Sequence, residues 1–307
     1  MNQLARRITF LAALAVPPLG AQETPPSRLV VDTLAAGLYR VAAPPDGTVL
    51  FWTGAGGPVL VDALSMELAP RLDSLVGAIG GGPLRAVVNT HYHADHTGMN
   101  RRARAAGAAL YAHPRARVEM ARDTTITELD WHRAAAPADA LPTVLVADSV
   151  LLGTGGSRVL VLAIPPAHTG GDLLVHFLEA DVLHTGDVVE IGAFPFVDRW
   201  AGGSIDGLIG AVDLVLARSG SATRIVPGHG PVTDRQRVTA YRSMLAGARE
   251  RVAEAVAAGR DAASVLADPW IAALAPAWGS ANQLRYFVRS MHEELDPRRQ
   301  GQGSPES

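Results

Sequence analysis

The sequence predicts an α/β protein in which two β-sheets lie face to face between layers of helices. Three observations carry this reading. Short runs of β-forming residues, parted by Gly and Pro, occupy two separate stretches of the chain, and each stretch closes in helical patterning. A chain of 307 residues, 48% hydrophobic and 19% charged, can also bury a large core.

In the first half, "GLYRVAA", "TVLFWTG" and "PVLVDA" read as successive strands. A helix over 66–79 leads to the strand "LRAVVNT", followed by a helix over 98–106, the strand "AALYAH" and a helix from Pro114. The second half repeats the style with "TVLVADSVLL", "RVLVLAI", "DLLVHFL" and "DVLHTGD", then a helix over 204–217 and the strand "TRIVPGH". From Thr233 the character changes. Val238, Tyr241, Met244, Leu245, Ala248, Val252 and Val256 recur at helical spacing, and Gly259 sits where such a helix would stop. Further helices over 262–266 and 282–295 complete a helical segment spanning 233–296, and 297–307 reads as a disordered tail.

The N-terminus reads as a signal peptide over 1–21: Arg6 and Arg7 precede the apolar run "ITFLAALAVPPLG", and Ala21 offers a small residue for cleavage. The run is short for a membrane span and is interrupted by a Pro pair, so no stable membrane insertion is expected after cleavage. "RRITFL" matches a twin-arginine signal only in part, which leaves the export route open. Export places the mature protein, residues 28–232 forming its catalytic domain, in the periplasm or outside the cell. Removing residues 1–21 leaves 25 basic against 30 acidic residues with no long basic run, which excludes nucleic acid as a partner and points to a small-molecule substrate. Oligomeric state is not encoded in any pattern recognised here.

The chain contains no cysteine and no lysine; all 27 basic residues are arginine. Disulfides, thiolate ligands, Schiff-base chemistry and phosphate-loop lysines are therefore excluded. Any metal must be held by His, Asp or Glu.

Against that background one stretch stands out. "VVNTHYHADHTGMN", residues 87–100, places three of the chain's 10 histidines and an aspartate within six positions. In an extended segment residues two apart point the same way, so His91, His93 and Asp95 can converge while His96 turns to a neighbouring point. Imidazoles and carboxylates at this density suit zinc, iron or manganese. Three later residues fall at strand ends before Gly-rich turns: His168, Asp187 and His229.

Taken in this order, the residues resemble the metallo-β-lactamase superfamily over roughly 30–232. The resemblance implies an αββα sandwich in which His91, His93 and His168 bind one metal and Asp95, His96 and His229 a second, with Asp187 bridging the two. The expected cofactor is two zinc ions, with iron or manganese as substitutes. Two divalent cations outweigh two aspartates and one shared hydroxide by a single positive charge, left to meet an oxyanion. Asp95, beside that nucleophile, is the expected catalytic residue that orients the hydroxide or takes its proton.

Asp62, ending "PVLVD", is expected to accept a hydrogen bond from a ligand histidine, as its counterpart in the family does, and Thr169 and Asp172 to buttress the His168 loop. His113, His132, His176, His184 and His292 lack such context and are read as satisfied or solvated side chains. In "GAFPFVDRWAGGS", Phe194, Phe196, Arg199 and Trp200 either line a substrate pocket or pack the loop.

The leading expectation is an exported hydrolase of an ester, thioester, lactone or amide. A β-lactamase is the first alternative; in that branch the position matching Asp187 is usually Cys or Ser, so Asp187 points to the glyoxalase II-like side. Glyoxalase II uses basic residues, including lysine, to hold glutathione, and none of its lysines can exist here. A mononuclear iron oxygenase resembling persulfide dioxygenases is the second alternative. A binding protein with a dead site is disfavoured, because no ligand is missing.

Overall fold

The computed structural model describes residues 28–127, 130–154 and 157–298. The segment read as a signal peptide, and the tail from 299, lie outside the described residues. β1 (Val30–Ala35), β2 (Leu38–Ala42), β3 (Thr48–Trp52) and β4 (Val59–Val61) form an antiparallel meander. Helix α1 (Ala69–Ile79), strand β5 (Ala86–Val88), helix α2 (Asn100–Ala105), strand β6 (Ala109–Ala112) and helix α3 (Pro114–Met120) follow. Next come β7 (Thr124–Ile126), β8 (Trp131–Arg133), β9 (Val144–Leu145), β10 (Ser149–Thr154), β11 (Ser157–Ala163), β12 (Leu173–Phe177) and β13 (Val182–Gly186). Helix α4 (Ile205–Ala217) and strand β14 (Arg224–Pro227) close the sandwich. The helical segment holds α5 (Arg235–Ala257), α6 (Ala262–Leu266), α7 (Pro269–Ala272), α8 (Ala275–Trp278) and α9 (Ala281–Leu295).

One sheet has the order β1-β2-β3-β4-β5-β6-β9 and the other β10-β11-β12-β13-β14. Their facing sides interleave in a single apolar layer, with Leu50, Val61 and Val88 from the first sheet and Val161, Val175 and Val226 from the second. Leu72 and Val76 of α1 cover the outer face of the first sheet with Leu60, Val87 and Met99. On the far side, Leu208 and Val212 of α4 share a core with Leu245 and Val252 of α5 and Phe287 and Val288 of α9. Burying each such aliphatic side chain is worth about 1.5–3 kcal/mol relative to exposure. The result is helix, sheet, sheet, helix, and among the described residues no helix is long and apolar enough to cross a membrane.

Local sequence explains most element ends. Pro70 lacks an N–H and belongs in a first helical turn, so α1 begins at Ala69 rather than 66. Ser204 caps α4 by accepting from Gly207 N, and Ser280 with Gln283 forms a full capping box on α9. Three features depart from the sequence reading. "TVLVADSVLL" is two strands, β9 paired with β6 in one sheet and β10 with β11 in the other, because the chain crosses between sheets at Val146–Asp148. β1 lies N-terminal to the first strand expected. The β7–β8 hairpin was not foreseen, since "TTI" and "WHR" are too short and too polar to show a period.

Candidate metal centre

Strands β11 and β13 run the same way on either side of β12, and β14 is parallel to β13. His168, Asp187 and His229 follow these three strands and therefore arrive at one edge of the sheet. His91 and His93 reach the same place after β5, whose neighbours β4 and β6 are parallel to it. Short turns at the carboxyl ends of parallel strands gather these side chains at one place.

In the first group, the Nε2 atoms of His91 and His168 lie 3.0 and 3.1 Å from His93 Nδ1. Each ring is held from behind. His93 Nε2 lies 3.0 Å from Asp198 Oδ2, and His168 Nδ1 donates to the Phe196 carbonyl at 2.8 Å. His91 Nδ1 donates to Thr90 Oγ1 at 3.1 Å, while the Thr90 hydroxyl donates to Asp62. These partners assign the N–H groups outward and turn three lone pairs toward one another. Burial, helped by neighbouring imidazoles, drives His91 well below the usual histidine range. Burial also takes His168 down to about 4, so both rings are neutral at pH 7. Three facing lone pairs repel unless a cation sits between them. Asp187 Oδ2 completes the set, 3.7 Å from Nε2 of both His91 and His168. Tetrahedral ligation with bonds of 2.0–2.1 Å separates ligand atoms by roughly 3.3–3.4 Å, close to what these residues offer.

In the second group, His229 Nε2 lies 3.0 Å and His96 Nε2 3.6 Å from Asp95 Oδ2. Asp187 faces this group as well, with Oδ1 3.5 Å from His96 Nε2 and Oδ2 3.6 Å from His229 Nε2. His96 Nε2 and Asp187 Oδ1 are buried and have no hydrogen-bond partner, a costly state that a metal ion relieves. Burial works against charge on Asp187, yet His96, His91 and His229 outweigh it and hold the carboxyl well below its usual range. His229 is raised to about 9, Asp187 and Asp95 overcoming the opposing effect of burial. The donor set, the neutral nitrogens of His91 and His168 and the orphaned atoms all fit metal binding.

Two backbone features make the geometry possible. Asp62 adopts φ 62°, uncommon for a residue with a side chain, and is fully buried, with Oδ2 2.9 Å from His96 Nδ1 and 2.9 Å from His184 Nε2. Gly228 leaves the room that Asp187 needs: a Cβ there would stand 2.1 Å from Asp187 Oδ1 and 2.9 Å from His96 Cε1.

Residues 46–229 match the description "Metallo-beta-lactamase superfamily". The chain belongs to that superfamily. A hydroxyacylglutathione hydrolase of Gloeobacter violaceus is 32% identical over 128 residues, 41% of this chain and 42% of that protein, so less than half of the relative's length is matched. Among solved structures, a metallo-beta-lactamase from Pontibacter korlensis superposes with a TM-score of 0.58 at 18% identity, covering 71% of this chain and 99% of that one. The DIM-1 metallo-beta-lactamase gives a TM-score of 0.59 at 17% identity, covering 73% and 100%. At such identities the two structures speak for the superfamily fold alone.

The surroundings of the superfamily site mix expected and unexpected residues. Thr169 N donates to Asp172 Oδ2 at 2.9 Å and the Thr169 hydroxyl to Oδ1, a buried clasp directly after His168. Phe196 lines a cavity beside His93. Phe194 does not; it is buried in the core and stacks on Phe287, centroids 5.5 Å apart, because Pro195 separates two residues that face opposite ways. Arg199 also departs from the pocket reading, since its guanidinium stacks 4.5 Å over Trp200 and donates to Glu293 Oε2 at 2.7 Å. Arg199 and Trp200 therefore pack the loop against α9. Besides Thr90, which holds His91, two residues of the site escaped sequence reading. His184, read as unremarkable, shares Asp62 with His96. Asp198 holds His93 and accepts from the Tyr92 hydroxyl. Neither carries a sequence signal, because each is joined to its partner only through the fold. Of the other histidines, His292 pairs with the Arg260 carbonyl and His132 with Asp123.

Proposed function

We propose that this chain is a metal-dependent hydrolase that uses two zinc ions to open an ester, thioester, lactone or amide. The observation that carries the reading is Asp187, whose two oxygens face His91 and His168 on one side and His96 and His229 on the other. When bound, such cations supply hydroxide near neutral pH and polarise a carbonyl. His91, His93 and His168 would hold one ion and Asp95, His96 and His229 the other, with Asp187 shared; iron or manganese could replace zinc in the same donor set.

The chain's own groups supply the rest. Asp95 is partly exposed at the cavity edge, where its carboxylate orients the attacking water and takes its proton. The water oxygen joins the carbonyl carbon, the bond from that carbon to its O, S or N breaks, and the leaving atom takes up a proton. Asp198, Thr90 and the Phe196 carbonyl keep the ligand imidazoles from turning. The hydroxyacylglutathione hydrolase relative supports a hydrolytic thioester or ester reaction. The Arg6–Arg7 pair and the apolar run after it support export.

The test is a substrate panel on zinc-loaded protein, with and without chelator. The best ester, thioester or lactone is expected to exceed any β-lactam in kcat/KM by at least ~10-fold, about 1.4 kcal/mol of transition-state preference. Chelation is expected to abolish turnover. Efficient penicillin or carbapenem hydrolysis would reassign the chain to the lactamase reading, and one bound iron with oxygen uptake would make it an oxygenase.

A further inference from the structure

A cavity of about 360 Å³ opens beside the candidate metal centre, lined by His93, Asp95 and Asp198 together with Ile126, Trp131 and Phe196. Ile126 and Trp131 are directly paired across the β7–β8 hairpin, which puts both side chains on one face of it. Phe196 is braced from behind by Tyr286 of α9, stacked at 5.6 Å. The hairpin and the α9-braced Phe196 thus give the cavity an apolar lining.

Among its described lining residues the cavity has no arginine. Arg133 of the same hairpin is not part of that lining; it stacks 4.7 Å over Tyr92, and Arg199 is bonded to Glu293. Arg40, in a neighbouring cavity beside His229, donates to Asp32 at 2.8 Å and to the Gly230 carbonyl at 3.2 Å. An alkyl or aryl group entering here would meet Ile126, Trp131 and Phe196, whereas an anionic group would face that same apolar lining beside the carboxylates of Asp95 and Asp198. The volume lies near the lower end of the roughly 300–1,000 Å³ of ligand pockets, enough for a small apolar arm.

We infer that this cavity takes an uncharged alkyl or aryl substituent, so that the substrate is a neutral ester or lactone with an apolar arm. The inference rests on the hydrolase reading above and narrows it. Hydrolysis then yields a carboxylic acid and an alcohol, water supplying the added oxygen and hydrogens. Ile126 and Trp131 set chain-length preference; they take no part in bond breaking.

The experiment pairs turnover with a binding readout on the full zinc-loaded protein. Methyl alkanoates and alkyl acetates are compared from four to eight carbons, each beside an analogue ending in a carboxylate. Alkan-2-ones, which cannot be hydrolysed, are titrated in parallel by following the Trp131 indole N–H resonance, assigned through Trp131→Phe. In one ester series kcat/KM is expected to rise at least ~10-fold with length, and the terminal carboxylate to remove that gain. Ketone affinity is expected to rise in step, and Trp131→Ala and Ile126→Ala each to flatten the dependence on length. A flat profile with unperturbed Trp131, or a preference for the charged analogues, overturns the inference while leaving the hydrolase intact. Length-dependent ketone binding without turnover of any ester, nor of the thioesters, lactones and amides of the substrate panel, upholds the pocket and removes the hydrolase reading.

Discussion

Asp62 and His96 meet in a fully buried contact, carboxylate Oδ2 to imidazole Nδ1, at 2.9 Å. The same oxygen receives His184, and Thr90 donates to Asp62 through both its N–H and its hydroxyl. Burial opposes ionisation of Asp62, but His96 and His184 prevail and bring it down to about 2. One carboxylate therefore fixes a ligand of the second metal group, ties two strands together, and reaches the first group through Thr90. Asp62→Ala is expected to destabilise the fold by about 3–5 kcal/mol, the cost of breaking a buried pair. Zinc content is expected to fall from about two ions per chain toward one, as the imidazole of His96 loses its anchor. Denaturant unfolding and elemental analysis measure the two effects; unchanged stoichiometry would remove Asp62 from the metal site.

Gly228→Ala tests the site without touching a ligand. Its new Cβ would fall 2.1 Å from Asp187 Oδ1, so the Asp187 carboxylate must move. Metal affinity and kcat/KM are expected to drop by ~10–100-fold. Competition with a chromophoric chelator reads the first, and wild-type affinity would show that Asp187 does not need its present position.

Stability should carry a pH signature remote from the metals. Glu294 accepts from Ile205 N at 2.9 Å, and burial, with Asp206 adding to it, raises its pKa from 4.5 to about 7. Between those values the folded protein keeps a proton that the unfolded chain releases. The stabilisation is thus whole below about pH 4.5 and lost as pH rises through about 7. Glu294→Gln keeps an acceptor for Ile205 and abolishes the titration. Its Tm is expected to gain on wild type between pH 5 and pH 8; a constant difference across that range would contradict the assignment.

Export is tested at the N-terminus. Mature protein from the native cell envelope is expected to begin near Gln22, just after the apolar run and Ala21. N-terminal sequencing decides it, and a full-length cytoplasmic chain would count against export.

The sequence by itself, read with the family resemblance its motifs carry, determined the layered fold and pointed to the seven residues that the fold gathers at the candidate metal centre. Strand and helix periods are local properties, and imidazoles clustered as in "HYHADH" have few explanations besides a metal. His168, Asp187 and His229 were legible because each ends an apolar run at a turn, a position the chain itself marks. Only the tertiary structure decided what surrounds them. His184 reaches Asp62 across 122 residues, and Asp198 reaches His93 across 105, joined by packing of separate sheets and loops. The division of "TVLVADSVLL" between two sheets, the inward turn of Phe194 beside an outward Phe196, and the Ile126–Trp131 lining depend likewise on which neighbours the fold brings. A ligand type is written in one residue, but the orientation that makes it a ligand is set by a partner distant in the chain, and that partner's position exists only once the sheets have packed.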